Sequence, residues 1–284
     1  MATELAASLP SARPQELHRT ARAEQVAKFW SGLWPKLAAA ALAVGLWQVV
    51  AWSGWKPAGL LPGPLPVFQR LAQDLASSDF DLGIAITLRR ALFGFGVAVG
   101  LGIVAGLAIA RFAPVRAAIA SAILGLQSMP SIAWFPFTIL LFGPNEAAIF
   151  SVVILGAAPA IATGLIDGVD NVQPLLIRVG RVMGARGLLL YRHIILPAAL
   201  PSFVGGLKQG WAFAWRSLMA GEIIGVASHQ LSIGLQFQSA KIAGDGRQLL
   251  ALVIVVLVIG IVVDRVFGLA EGAIRRRWGL GGNA

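Results

Sequence analysis

The stretch VQPLLIRVGRVMGARGLLLYRHIILPAALP, residues 172–201, decides how the chain is read. Arg178, Arg181, Arg186 and Arg192 keep it out of hydrocarbon, since a charged side chain at mid-bilayer costs about 3 kcal/mol on insertion scales. It is also too long for a tight connection between neighbouring helices. Leu175, Leu176, Val179, Val182, Met183 and Leu188 recur near helical spacing and give one apolar face, the pattern of an amphipathic helix. Gln173-Pro174 and Leu196-Pro197 bracket the segment, and Gly184 and Gly187 permit a turn inside it. The spacing predicts a helix held parallel to a membrane. Two readings are open: it docks into a groove on a cytoplasmic partner, or it is an interfacial helix anchored by its arginines.

Outward from this stretch the chain is apolar. Hydrophobic residues make up 57% of the 284 and charged residues 13%, with a mean hydropathy of +0.77, which is membrane composition. Since a bilayer core needs about 20 apolar residues per helix, five spans are predicted: Leu37 to Trp55, Ala91 to Ala110, Ala117 to Asn145, Ala147 to Ile166, and Gln248 to Val263 with a continuation past Asp264. A sixth, Ala198 to Ile224, carries Lys208, Arg216 and Glu222, which a pore-lining helix tolerates and a lipid-facing one does not. The third holds Gln127-Ser128-Met129-Pro130-Ser131 and Pro136, so its backbone bonding is interrupted at membrane depth, where a break survives only against protein or a cavity.

Basic residues concentrate in alternate loops. Arg111 and Arg116, the four arginines of residues 172–201, Arg265 and Arg275–Arg277, and five Lys or Arg in the amino-terminal tail lie on one side; Gly143-Pro144-Asn145-Glu146 has none. By the positive-inside rule that side is cytoplasmic and carries both termini, which explains the net charge of +10 without nucleic acid. The expected division is a cytoplasmic tail over 1–36, with an interfacial helix over Gln15 to Trp34, one all-α integral membrane domain over 37–272, and a basic cytoplasmic tail over 273–284. After Leu61-Pro62-Gly63-Pro64-Leu65-Pro66, Val67, Leu71 and Leu75 predict a short external helix lying on the membrane.

Several chemistries are excluded by residue content. Without cysteine, and with only His18, His193 and His229, a thiolate or paired-histidine metal site is not available. No Gly-Lys dipeptide occurs, so the chain has no phosphate-cradling loop of the Gly-x-x-x-x-Gly-Lys type. No nucleophile signature or carboxylate pair within one span supports an intramembrane enzyme. Gly96-xxx-Gly100 and Gly102-xxx-Gly106 sit inside an apolar span and predict helix packing, not dinucleotide binding.

The segment at 172–201 resembles the cytoplasmic EAA loop of type I ABC importer permeases, in which a glycine is followed at fixed distance by Ile-x-Leu-Pro. Gly184, Ile194, Leu196 and Pro197 fall at that spacing, while Arg178-Val179-Gly180 replaces the acidic-Ala-Ala start. Leu61-Pro62-Gly63-Pro64, Thr87-Leu88-Arg89-Arg90, Pro130 to Pro136 and Ala214 to Glu222 are similar to the subgroup that imports aliphatic sulfonates, taurine and nitrate, whose relatives import bicarbonate and other small anions. The resemblance implies six transmembrane helices with a coupling helix, a bacterial inner-membrane location, a second copy of the permease, two cytoplasmic ATPase subunits holding ATP and Mg, and an external substrate-binding protein. It implies no cofactor in this chain.

On this reading Arg181, Gly184, Arg186, Gly187, Ile194, Leu196 and Pro197 couple the chain to the ATPase. Arg89, Arg90, Gln127, Ser128, Ser131, Trp134, Trp215, Arg216 and Glu222 line the substrate path. Two roles stay open for the intramembrane charges: Arg216, with Arg89 or Arg90, attracts an anionic head group, or Glu222 pairs structurally with Arg216 or Arg90. A secondary transporter, which also uses broken helices and buried charge, is the competing function.

Overall fold

The computed structural model describes residues 34–111, 113–226 and 230–277, with backbone alone at 113, 115, 117, 120, 124 and 275. Among the described residues the regular structure is helical. The expected interfacial helix at Gln15 to Trp34 and residues 278–284 of the basic tail lie outside the described residues, apart from Trp34 itself. The chain divides after Pro66 into two compact units. In the first, α1 (Trp34–Trp52) has the length and hydropathy of a span, and Trp47 Nε1 donates to the Pro62 carbonyl at 3.0 Å.

The second unit is built on three long helices: α3 (Ser78–Arg111), α6 (Glu146–Asp170) and α9 (Leu196–Ile224), after a short α2 (Pro64–Asp74). α6 packs closely against both of the others, and half of its most apolar window is buried. Its walls are Ala148, Ile149, Val152, Val153, Ala157 and Ile161, which meet Ala91 and Ala98 of α3 and Trp211, Ala214 and Leu218 of α9. Helices joined through small residues gain dispersion contact that lipid tails do not supply. Gly102 faces Ile161 and the Ala158 carbonyl, Gly106 faces Leu165 and the Ala162 carbonyl, and a Cβ on Gly206 would stand 2.8 Å from the Gly164 Cα. The Gly102-xxx-Gly106 expectation therefore holds inside the chain. Gly96 and Gly100 have nothing within 4 Å of their would-be Cβ, so within this chain they pack nothing.

The third apolar region breaks where its prolines lie. α4 (Ala113–Ser128) ends at the break, a 3-10 turn covers Ser131–Trp134, and α5 (Phe135–Phe142) follows, the two halves meeting at 97°. Pro130 and Pro136 lack the N–H that would carry the helix across. The span expected from Ala91 begins instead at Ser78, because the helix runs through Arg89 and Arg90, the charges that bounded the expected stretch. α11 (Gly246–Arg277) runs beyond residue 272.

Two short helices differ from expectation. The segment after Pro66 is helical as predicted, but it docks on protein: Val67 is fully buried, Leu71 packs near Phe80 and Leu252, and Arg70 bridges Asp74 at 2.8 Å and Asp245 at 2.9 Å. Leu75 alone of the three predicted apolar positions is exposed. Between the spans ending at Ile224 and starting at Gln248, where no helix was expected, α10 (Ile233–Ala243) forms, its first turn capped by Ser232 Oγ, which accepts from the Leu235 N–H at 3.1 Å. An Ala at 206 pushes α6 and α9 apart at backbone level, so Gly206→Ala is expected to lower unfolding stability in detergent by about 1–3 kcal/mol. The neighbouring Gly205→Ala, with nothing within 4 Å, is expected to leave thermal unfolding unchanged or slightly higher.

Candidate functional site

Charge in an apolar bundle needs a partner or water, so the described intramembrane charges map the working surfaces. Arg90 on α3 is 2% exposed and Glu222, near the end of α9, 3%. Their side chains meet at 2.9 Å, Arg90 Nη1 donating to Glu222 Oε1. Arg90 also donates to Glu146, the first residue of α6, from Nε at 2.9 Å. The second oxygen of Glu222 accepts from Thr87 Oγ1 at 2.9 Å and from the Gly234 N–H at 3.2 Å. Thr87 Oγ1 in turn accepts from the Ile233 N–H at 3.0 Å. The network ties α3, α6, α9 and the start of α10 together at one end of α6. Of the two structural pairings open in the sequence, Arg90 with Glu222 is the one formed.

The segment from Pro174 to Pro201 lies at the opposite end of α6. It folds as α7 (Pro174–Val182), a turn, α8 (Gly187–Leu190), a π-helical turn (Tyr191–Ile195) and the start of α9. Val172, Ala185, Leu190 and Ile195 give it a small core of its own. Gly184 and Gly187 have φ of +86° and +52°, a left-handed backbone in which a Cβ is strained, and the Ala185 N–H closes the turn onto the Gly180 carbonyl at 2.9 Å. Gly180 is buried beneath the Ile194 side chain, which accounts for the small residue at the position where the EAA pattern differs. Arg181, Gly184, Arg186 and Gly187 are exposed, whereas Ile194, Leu196 and Pro197 form the half-buried root. Leu175, Val182, Met183 and Leu188 stand free at its surface, Val182 at 89% exposure.

Between these ends, α9 turns one face away from α6. Ser202, Gln209, Arg216 and Ile223 are exposed, and Gly205, Ala212 and Ala220 are half-buried. Spacings of three and four residues put them on one stripe, and the polar members recur every seven residues, which keeps them aligned with a drift of about 20° per step. Arg216 lies about 12 Å along the axis from Ile224 at 1.5 Å per residue, well inside the apolar span. Its Nε donates to the Ala212 carbonyl at 3.0 Å, and its guanidinium carbon stands 5.0 Å from the centre of the Phe213 ring. On the flank toward α11, Lys208 pairs with Asp264 at 3.0 Å with both side chains substantially exposed. A cation and an ion pair on an open helix face are costly against lipid and ordinary against water.

The other sequence-predicted path residues divide. Ser128 is exposed, Gln127, Ser131 and Trp134 are half-buried at the break, and Phe213 of α9 lines the same crevice as Gln127, Ser131 and Trp134. Gln127 donates to Thr163 Oγ1 at 2.7 Å and Ser128 to the Gly125 carbonyl at 2.8 Å. Arg89 is exposed beside Phe93, Phe150 and Glu146. Trp215 is in the core, stacked on Trp211 with centroids 6.3 Å apart. Arg90, Glu222 and Trp215 thus have their reactive surface turned inward. Sequence reading missed Ser202, Gln209 and the Lys208–Asp264 pair; the seven-residue spacing of Ser202, Gln209 and Arg216 was the available signal.

Residues 98–276 match the family described as Binding-protein-dependent transport system inner membrane component. The chain is 27% identical over 241 residues, 85% of its length and 96% of the relative's, to a probable ABC transporter permease protein of Brucella melitensis. It is 25% identical over 271 residues, 95% of both chains, to a candidate aliphatic sulfonates transport permease protein of Bacillus subtilis, and 26% identical over 231 residues, 78% of this chain and 81% of the relative, to a bicarbonate transport system permease protein of Synechococcus elongatus. Among solved structures, an amino acid ABC transporter chain aligns with a TM-score of 0.56 at 17% identity over 75% of this chain and 97% of that one. A chain of the methionine ABC transporter in inward-facing conformations aligns at 0.54 and 20% identity over 66% and 94%. At these identities the structures establish the fold.

Removing one member of a buried ion pair strands the other. Glu222→Ala is therefore expected to cost about 3–5 kcal/mol of stability, read as thermal unfolding of the purified chain. Replacing the pair together, Arg90→Met with Glu222→Leu, is expected to restore most of the loss.

Proposed function

The chain belongs to the binding-protein-dependent transport system inner membrane component family, hence is a multi-pass permease of an ABC importer, and we propose that it forms the translocation path for a small organic anion of the sulfonate or taurine kind. The observation that carries the anion reading is Arg216, exposed on the polar face of α9 about two turns inside the span. Nitrate and bicarbonate are the alternatives, supported by the same charge and by the bicarbonate permease among the relatives. In this reading two copies face each other across the α9 stripes. The path holds Ser202, Gln209 and Arg216, with Gln127, Ser128, Ser131 and Trp134 at the break and Arg89 toward the outer end. Arg90, Glu222 and Trp215 serve instead to hold the helices in register.

The chain is a transport subunit, and ATP with Mg is held and hydrolysed by two partner subunits. The end bearing Arg111, Arg116 and the Pro174–Pro201 segment is cytoplasmic, as the positive-inside rule requires. The exposed apolar residues Leu175, Val182, Met183 and Leu188, rimmed by Arg181 and Arg186, dock in a groove on the motor subunit. Closure of the motors on ATP draws the two segments together. Because α9 continues without interruption from the π-helical turn at Tyr191–Ile195, the movement passes directly into the helix that bears Arg216, and the path opens to the outside, where the binding protein delivers its ligand. Hydrolysis reverses the movement.

Two experiments test this. In proteoliposomes holding the complete importer, Arg216→Gln is expected to reduce uptake of taurine, ethanesulfonate or nitrate, whichever the binding protein presents, by at least about tenfold, the effect of losing a charge-assisted hydrogen bond. Unchanged uptake, or uptake driven by a proton or sodium gradient without ATP, contradicts the reading. Separately, Gly184→Val places a branched side chain at φ +86°, and is expected to abolish co-purification of the ATPase and ligand-stimulated hydrolysis while the permease still unfolds cooperatively.

A further inference from the structure

The contacts of Arg216 say more than its charge does. Its Nε–H is already bonded to the Ala212 carbonyl one turn back at 3.0 Å, and its guanidinium lies against the Phe213 ring at 5.0 Å. Together these fix the plane of the group and leave the N–H groups of the two terminal nitrogens for a ligand. Lysine has no such plane, and a guanidinium held in this way matches two oxygens side by side. Phe213 faces the other way as well: it lines the crevice at the break of the third span with Gln127, Ser131 and Trp134, so its ring sits between the break and the arginine.

Resting on the reading of the α9 face as the path, we infer that Phe213 is a positioning residue that sets Arg216 as a two-pronged fork, and that the path thereby selects oxyanions presenting a pair of coplanar or adjacent oxygens over spherical anions such as chloride. A sulfonate, a carboxylate, nitrate and bicarbonate all offer that pair. Chloride meets the same charge, but its single atom cannot lie in line with both prongs, so it gains less from the second. An organic tail on the oxyanion lies toward Ala212, Ala220 and the aromatic edge of Phe213. Movement of the break during the cycle shifts the ring and so loosens the fork, which ties release of the anion to the change of access.

The chain has no cysteine, so a single Gln209→Cys, about two turns along the stripe from Arg216, reports on the site inside the assembled importer in lipid nanodiscs. The readout is its rate of modification by a sulfonate-bearing methanethiosulfonate reagent and by a trimethylammonium-bearing one, with protection by methanesulfonate or chloride at constant ionic strength. The anionic reagent is expected to react faster, and methanesulfonate to protect at concentrations about tenfold or more below chloride, the gain of a second charge-assisted hydrogen bond. Arg216→Lys and Phe213→Leu are expected to keep the preference for the anionic reagent and lose that for methanesulfonate, whereas Phe213→Tyr, which retains the ring, keeps both. If Arg216→Lys preserves the methanesulfonate preference, a point charge suffices and the fork is wrong while the anion path stands. If Arg216→Gln leaves the anionic preference intact, or the cysteine at 209 never reacts, the path reading itself fails.

Discussion

Arg90 reaches Glu222 and Glu146 from a position with almost no solvent, and Glu222 spends its remaining oxygen on Thr87 and the Gly234 N–H. Each of these groups costs several kcal/mol if left alone in an apolar interior, so the helices carrying them have little freedom to separate at that end. The chain's other arrangements follow from the same requirement that charge find a partner or water. Lys208 and Asp264 satisfy it with one another at the flank of α9. Arg216 satisfies it only in part, through a carbonyl and a ring, and its side chain stays exposed on the face of α9.

The long helices pack through small residues. Gly164 against Gly206, and Gly102 against Ile161, bring the backbones of α6 close to those of α9 and α3. At the end away from the ion network, the Pro174–Pro201 segment has its own small core and joins α9 without a flexible loop. Val182 and Met183 are thereby joined through packed structure to the helix bearing Arg216. The break at Pro130 interrupts the helical bonding of the third span, and Phe213 lines the crevice beside it.

Several readings of the sequence survive because they rest on local chemistry. Pro130 has no N–H to carry the helix on, and the 97° bend lies at it, between Ser128 and Ser131, while Pro136 stands in the first turn of α5, where a missing N–H costs little. Gly184 was read as a turn and has a left-handed backbone. Other readings needed neighbours that no local pattern supplies. Glu222 and Trp215 looked like path residues because a charge or large aromatic in a span suggests function, and the fold gives both to the interior. Gly96-xxx-Gly100 has the same spacing as Gly102-xxx-Gly106, yet only the second meets α6, because a helix has one side toward its partner.

The sequence by itself determined that the chain is a helical membrane protein, which end is basic, where the third span breaks, and that residues 172–201 form a structured, arginine-bearing segment. Those follow from hydropathy, proline chemistry and the cost of charge in hydrocarbon, each of which acts along a single stretch of chain. Which arginine is consumed and which is offered was decided only by tertiary structure. Arg90 and Arg216 are indistinguishable as residues in apolar helices, and the difference between them is that α6 and α9 bring Glu146 and Glu222 against the first while the face of α9 holding the second is left uncovered.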